Sequence, residues 1–110
     1  MFDSVTDIMP QELNELINSG KKIKMIDVRQ PDEYTGELGH IAGAELLVLD
    51  QLAEKFQQIQ TSEETVMICK SGGRSARAAA FLADQGFNKV FNMKGGMLLW
   101  TQLGFPVNKS

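Results

Sequence analysis

The feature that most narrows what this chain can fold into is an alternation of short apolar runs with stretches of helical periodicity. Residues 23–28 read IKMIDV, apolar and too short for a buried helix, which predicts a strand. Residues 65–69 (TVMIC) and 89–93 (KVFNM) repeat the pattern, and 44–49 (AELLVL) carry a weaker form of it. A further short strand is expected near residues 4–8. Helical patterns fill the intervals. Residues 10–18 open on Pro10, which suits a first turn; Leu13, Leu16 and Ile17 share a face, and Gly20 ends the run. Residues 50–58 set Leu52 and Phe56 four apart, and residues 75–85 place Ala78, Phe81 and Leu82 on one side ahead of Gly86. Residues 96–103 form the last helix. Strands alternating with helices predict an α/β fold, a mostly parallel sheet covered on both faces. In such sheets ligands bind beyond the carboxyl ends of the strands, which directs attention to the loop after residues 65–69.

The chain's 110 residues suit one domain, 1–110, with one modest core. Apolar residues make up 43% and charged residues 23%, which excludes disorder over most of the length. The net charge is −3 and no basic run dominates, so a nucleic-acid partner is not expected. No stretch approaches the roughly 20 apolar residues that cross a bilayer. The opening MFDSVTDIMP lacks the basic and apolar regions of a signal peptide. The expected location is the cytoplasm, with no membrane partner. One cysteine excludes an internal disulfide and, with a single histidine, a cysteine-built zinc site. No metal or organic cofactor is expected. Oligomeric state has no legible signature, and the terminal Asn-Lys-Ser is expected to fray.

The segment Cys69-Lys70-Ser71-Gly72-Gly73-Arg74-Ser75 follows a predicted strand and precedes a predicted helix. Adjacent glycines let successive N–H groups turn inward and form an anion nest. The helix start adds unpaired N–H groups and a positive dipole end. Lys70 and Arg74 add full charges, with Arg77 a turn further on. A free thiol of pKa ~8.5 is about 3% ionised at pH 7, and a fall of roughly two units makes it mostly thiolate, the nucleophilic form. A lone cysteine at a strand end is ordinarily a small buried hydrophobe, and a Gly-Gly pair ordinarily a turn. Their conjunction with two cations in a strand–loop–helix context points to chemistry instead.

CKSGGRSARAAAFLADQGF resembles the active-site loop and following helix of the rhodanese family. IDVRQPDEYTGELGHIAGA is similar to the family's upstream motif, and VFNMKGGMLLWTQLGFPV to its carboxyl-terminal one. The three cover most of the chain from Ile23 onward. The resemblance implies a five-stranded, largely parallel sheet between helices. It implies transfer of sulfane sulfur from a donor such as thiosulfate, or a persulfide, to a thiol or cyanide acceptor. Cys69 is then the nucleophile and persulfide carrier. The backbone N–H groups of Lys70, Ser71, Gly72, Gly73, Arg74 and Ser75 form the cradle for a small anionic donor. Lys70 and Arg74 stand where the family uses basic loop residues. Two features depart from the family's pattern: the four-residue linker Thr-Gly-Glu-Leu before Gly39, and Val48 where many members have proline. Both lie away from the loop.

Other residues carry weaker signals. Asp27, Arg29 and Glu33 form a polar cluster that either braces Arg74 and the neighbouring backbone or lies solvated at the surface. A local structural hydrogen bond is expected of His40, and core packing of Trp100. Two rival functions stand beside sulfur transfer. A cysteine phosphatase uses Cys-x5-Arg, whereas this loop is Cys-x4-Arg with serine at position 75. A non-enzymatic binding module has no need of a retained cysteine and basic loop. The physiological donor and acceptor leave no legible trace.

Overall fold

A computed structural model describes residues 5–60 and 62–110. Ser4, where the early strand was expected to begin, lies outside the described residues. The elements run β1 (Val5–Ile8), α1 (Pro10–Asn18), β2 (Lys24–Asp27), α2 (Pro31–Tyr34), β3 (Glu45–Leu46), α3 (Leu52–Lys55), β4 (Thr65–Ile68), α4 (Gly73–Asp84), β5 (Val90–Met93) and α5 (Gly96–Gln102). The five strands form one sheet in the order β1-β5-β4-β2-β3, with every pairing parallel. Parallel strands need crossovers, which is why helices and loops cover both faces.

Period-two alternation along the strands builds two cores, one on each side of the sheet. Ile26, Val28, Met67, Cys69 and Val90 face the side packed by Ala78, Ala79 and Leu82 of α4 and by Leu52 of α3. Ile8, Met25, Val66, Ile68 and Met93 face Leu13 of α1 and Met97 and Trp100 of α5. Cys69 follows β4 in the parity of Met67, so its side chain falls on the α4 side.

Three segments differ from their sequence-based expectations. The expected strand 44–49 pairs over only Glu45–Leu46. Leu47 and Leu49 still donate to the carbonyls of Asp27 and Val28, but the chain then bends into a 3-10 turn at Leu49–Gln51. The expected helix 50–58 is one α turn, Leu52–Lys55, between 3-10 turns. Leu52 is its one fully buried side chain, too little tertiary support to hold a longer helix. The tail does not fray at Asn108. Asn108 and His40 exchange both backbone hydrogen bonds, each 2.8 Å, in an isolated antiparallel bridge. Trp100 helps pin the approach to it, its indole N–H donating to the Pro106 carbonyl at 3.0 Å.

Candidate active site

β4 delivers Cys69 to the carboxyl edge of the sheet, and the chain must then reverse into α4. Gly72 makes the reversal at φ 105°, a left-handed conformation that favours glycine. α4 begins at the next residue, so its unpaired N–H groups gather around the cysteine. The Gly72 N–H donates to Cys69 Sγ at 3.0 Å, and the Ser75 hydroxyl lies 3.2 Å from the same sulfur. Cys69 is only 1% exposed. Burial opposes ionisation of the thiol. The Ser75 hydroxyl and the N–H groups of Ser75, Gly72 and Ser71 outweigh it and hold the pKa below the ordinary thiol value.

A nest of inward N–H groups requires the matching carbonyls to be satisfied elsewhere. α5 does this. Met97 N–H donates to the Cys69 carbonyl at 2.9 Å, and Leu98 N–H to the Lys70 carbonyl at 3.0 Å. Gly96 permits the approach. A Cβ there would stand 2.4 Å from the Lys70 carbonyl and 2.6 Å from that of Cys69. The first turn of α5 is therefore a brace against the back of the loop.

Arg74 does not stand free. Its two terminal nitrogens donate to Glu33 Oε1 and Oε2 at 2.8 and 2.9 Å, a bidentate pair. Glu33 is held in turn by the Gln30 N–H at 3.0 Å, which caps α2. The Arg74 hydrogen bond, opposed by burial, holds the Glu33 carboxyl at a pKa of about 2. Lys70 is exposed and borders a cleft of about 230 Å³ with Arg29, Asp32, Glu33, Gly36, Glu37 and Leu38. Ser71 is exposed on the loop, as are Gly73 and Arg77 on α4.

Asp27 and Arg29 are buried, not solvated. Arg29 donates to both Asp27 oxygens at 2.8 and 2.7 Å, and to the Gly39 carbonyl at 2.7 Å. The pair ties the end of β2 to the loop that carries His40. His40 stacks on Tyr34 with ring centroids 3.7 Å apart, and its Nδ1 donates to the Tyr34 carbonyl at 2.8 Å. Trp100 is buried in the core.

Asn92 and Asp7 join the site without a role expected from the sequence. Asn92, 6% exposed on β5, places its Oδ1 2.5 Å from the Ser75 hydroxyl. Its Nδ2 donates to Asp7 Oδ1 on β1 at 3.2 Å. A polar residue between the apolar Phe91 and Met93 was the one available signal. Among the described residues no cluster of His, Cys, Asp and Glu could hold a metal ion, and no helix is long and apolar enough to cross a membrane.

Known proteins share this fold. The model of the Rhodanese-like domain matches residues 9–103. The protein YqhL of Bacillus subtilis, described as uncharacterized, is 39% identical over 80 residues, covering 73% of this chain and 62% of its own length. This chain thus spans less than two thirds of that relative. A thiosulfate sulfurtransferase, GlpE, from Ectopseudomonas mendocina is 34% identical over 84% of this chain and 82% of its own. A rhodanese-related protein from Thermoplasma volcanium superposes with a TM-score of 0.85 at 30% identity, over 96% of this chain and 99% of the other.

Proposed function

The chain belongs to the rhodanese-like domain family, and from that premise we propose that it transfers sulfane sulfur from thiosulfate or a persulfide donor to a thiol or cyanide through a persulfide on Cys69. Sulfur transfer is the activity to which the sulfurtransferase-named relatives point. The observation that carries the reading is the cradle itself: a buried sulfur held by the Gly72 N–H at 3.0 Å and the Ser75 hydroxyl at 3.2 Å, at the amino end of α4.

The cycle needs no metal and no general base. Cys69 thiolate attacks the outer sulfur of the donor. The new S–S bond forms as the donor's own S–S bond breaks, and its electron pair leaves on sulfite or on the donor thiolate. An acceptor thiolate or cyanide then attacks the terminal sulfur of the Cys69 persulfide, and the pair of the breaking bond returns to Sγ. Negative charge sits on sulfur throughout. Preorganised N–H donors are the groups that stabilise it, at about 3 kcal/mol for one well-aimed donor. Lys70 is the exposed cation of the loop and attracts the anionic donor, whereas Arg74, engaged by Glu33, shapes the loop and offsets its charge. The only cysteine of the chain holds the sulfur, so the persulfide passes to an external acceptor.

The phosphatase alternative is weaker. The loop has one residue fewer than Cys-x5-Arg, and its arginine is held by a carboxylate. Intact mass spectrometry after incubation with thiosulfate tests the proposal. The expected result is a gain of one sulfur atom on Cys69, removed by cyanide with release of thiocyanate. Absence of uptake from thiosulfate, polysulfide and glutathione persulfide alike would return the chain to the binding-module reading.

A further inference from the structure

The Ser75 hydroxyl has one proton and two acceptors. Oγ lies 3.2 Å from Cys69 Sγ and 2.5 Å from Asn92 Oδ1. The Asn92 amide cannot simply turn to offer its own N–H groups, because Nδ2 donates to Asp7 Oδ1 at 3.2 Å. Asp7 and Asn92 are direct partners in the parallel register of β1 and β5, so the sheet itself fixes that orientation. Asn92 is 6% exposed and Ser75 fully buried, so water does not compete freely for these groups.

From this geometry we infer that Asn92 is a positioning residue that competes with the Cys69 sulfur for the Ser75 proton, making the hydroxyl a donor that follows charge through the catalytic cycle. Two arrangements are each self-consistent. When Sγ carries no charge, as the thiol or as the inner atom of a persulfide, Ser75 donates to Asn92 Oδ1. A thiol can then donate its own S–H to Ser75 Oγ. When Sγ is a thiolate, the hydroxyl turns to it, a charge-assisted bond that outcompetes a neutral amide oxygen. Attack on a donor removes the charge from Sγ and the hydroxyl swings back. Attack by an acceptor returns an electron pair to Sγ and calls the hydroxyl forward again. The rotation of one O–H bond moves no heavy atom and transfers no proton between residues.

The other charged groups near the sulfur lie elsewhere. Lys70 and Arg74 belong to its own loop, Glu33 to α2, the Asp27–Arg29 pair to the end of β2, and Lys94 to the turn that leads into α5. None of them contacts Asn92 or Ser75 through a hydrogen bond among the described residues. Asp7 alone reaches the hydroxyl through the amide.

The inference rests on Cys69 as the nucleophile, but its test reads the thiol directly and does not need sulfur transfer. Because the chain has a single cysteine, the pH dependence of alkylation by iodoacetamide reports Cys69 alone. Asn92→Leu removes the competing acceptor and is expected to lower the alkylation midpoint by about one unit, the equivalent of one hydrogen bond. Ser75→Ala is expected to raise it by a similar amount. The double variant should match Ser75→Ala. Asp7→Ala, at an exposed position, releases the amide to turn and should lower the midpoint by roughly half a unit with Ser75 present. It should leave the midpoint unmoved in the Ser75→Ala background. The inference is overturned by an Asn92→Leu midpoint equal to or above that of the parent. It is overturned equally by shifts that persist undiminished without Ser75, which would be simple long-range electrostatics. If Asn92→Leu does not fold, the Asp7 pair of variants carries the test alone.

Discussion

Cys69 combines two properties that ordinarily oppose each other, near-complete burial and a pKa below that of a free thiol. The reconciliation lies in the Gly72 N–H at 3.0 Å from the sulfur and the Ser75 hydroxyl at 3.2 Å, to which the Ser75 and Ser71 amides add. Cys69→Ser should therefore abolish sulfur transfer, because a serine hydroxyl in the same cradle neither ionises near neutrality nor carries sulfane sulfur. Turnover near the parent rate in a thiocyanate assay would remove Cys69 from the mechanism. The Glu33–Arg74 pair allows a finer prediction. Arg74→Ala removes the guanidinium and leaves Glu33 as a lone carboxylate beside the loop, so kcat/KM should fall by roughly tenfold or more, against only a few-fold for Lys70→Ala. Equal, negligible losses would assign the work to the backbone alone. Glu33 also has a pH signature. Its folded pKa of about 2 lies below the ordinary 4.5, so its stabilisation is complete above pH 4.5 and disappears as pH falls toward 2. The stability difference between the parent and Glu33→Gln, followed by urea unfolding, should shrink across that window and stay constant above it.

At the scale of elements, the brace between α5 and the loop matters most. Gly96 has φ 61°, and its α-carbon leaves no room for a methyl group against the Lys70 carbonyl. Gly96→Ala should displace the loop by a fraction of an ångström or more, with a loss of activity of up to about a hundredfold. The proper comparison is with Gly104→Ala, where a Cβ meets nothing within 4 Å although φ is also positive. If both lose stability but only the Gly96 variant loses transfer, the brace acts on the loop. Local patterns made much of this architecture legible. Residues 10–18 are a helix with the expected bounds, and the runs 23–28, 65–69 and 89–93 each contain a strand. Residues 31–34 went unread, because one turn of helix capped by Glu33 carries too few residues to show a period. The loop 69–75 was legible because glycines, cations and cysteine are contiguous in it. Asn92, Asp7 and the carbonyl-capping role of α5 were not, because each depends on which strand lies beside which. The order β1-β5-β4-β2-β3 is a tertiary outcome that no local pattern states.

For the molecule as a whole, the buried Asp27–Arg29 pair links the sheet to the segment that meets the tail. Arg29 holds the Gly39 carbonyl, and His40 next to it exchanges backbone hydrogen bonds with Asn108. Arg29→Met would strand Asp27 as a fully buried carboxylate. Such a loss of one partner costs about 3–5 kcal/mol, a large share of the stability of a small domain. Chemical denaturation should show a loss of that size, and a loss below about 1 kcal/mol would mean that water reaches Asp27 when the guanidinium is gone.

The strand order has a bearing on biosynthesis. Among the described residues β1 pairs with β5 alone, and the Cys69 loop is braced by α5, so β1 waits for β5 and the thiol for α5. While the chain is still emerging from the ribosome, Cys69 lacks the N–H groups of Met97 and Leu98 that orient its turn. A nascent chain therefore holds Cys69 in an unbraced loop. The brace on the loop is complete only when the sheet closes, so alkylation of Cys69 is expected to report completed folding.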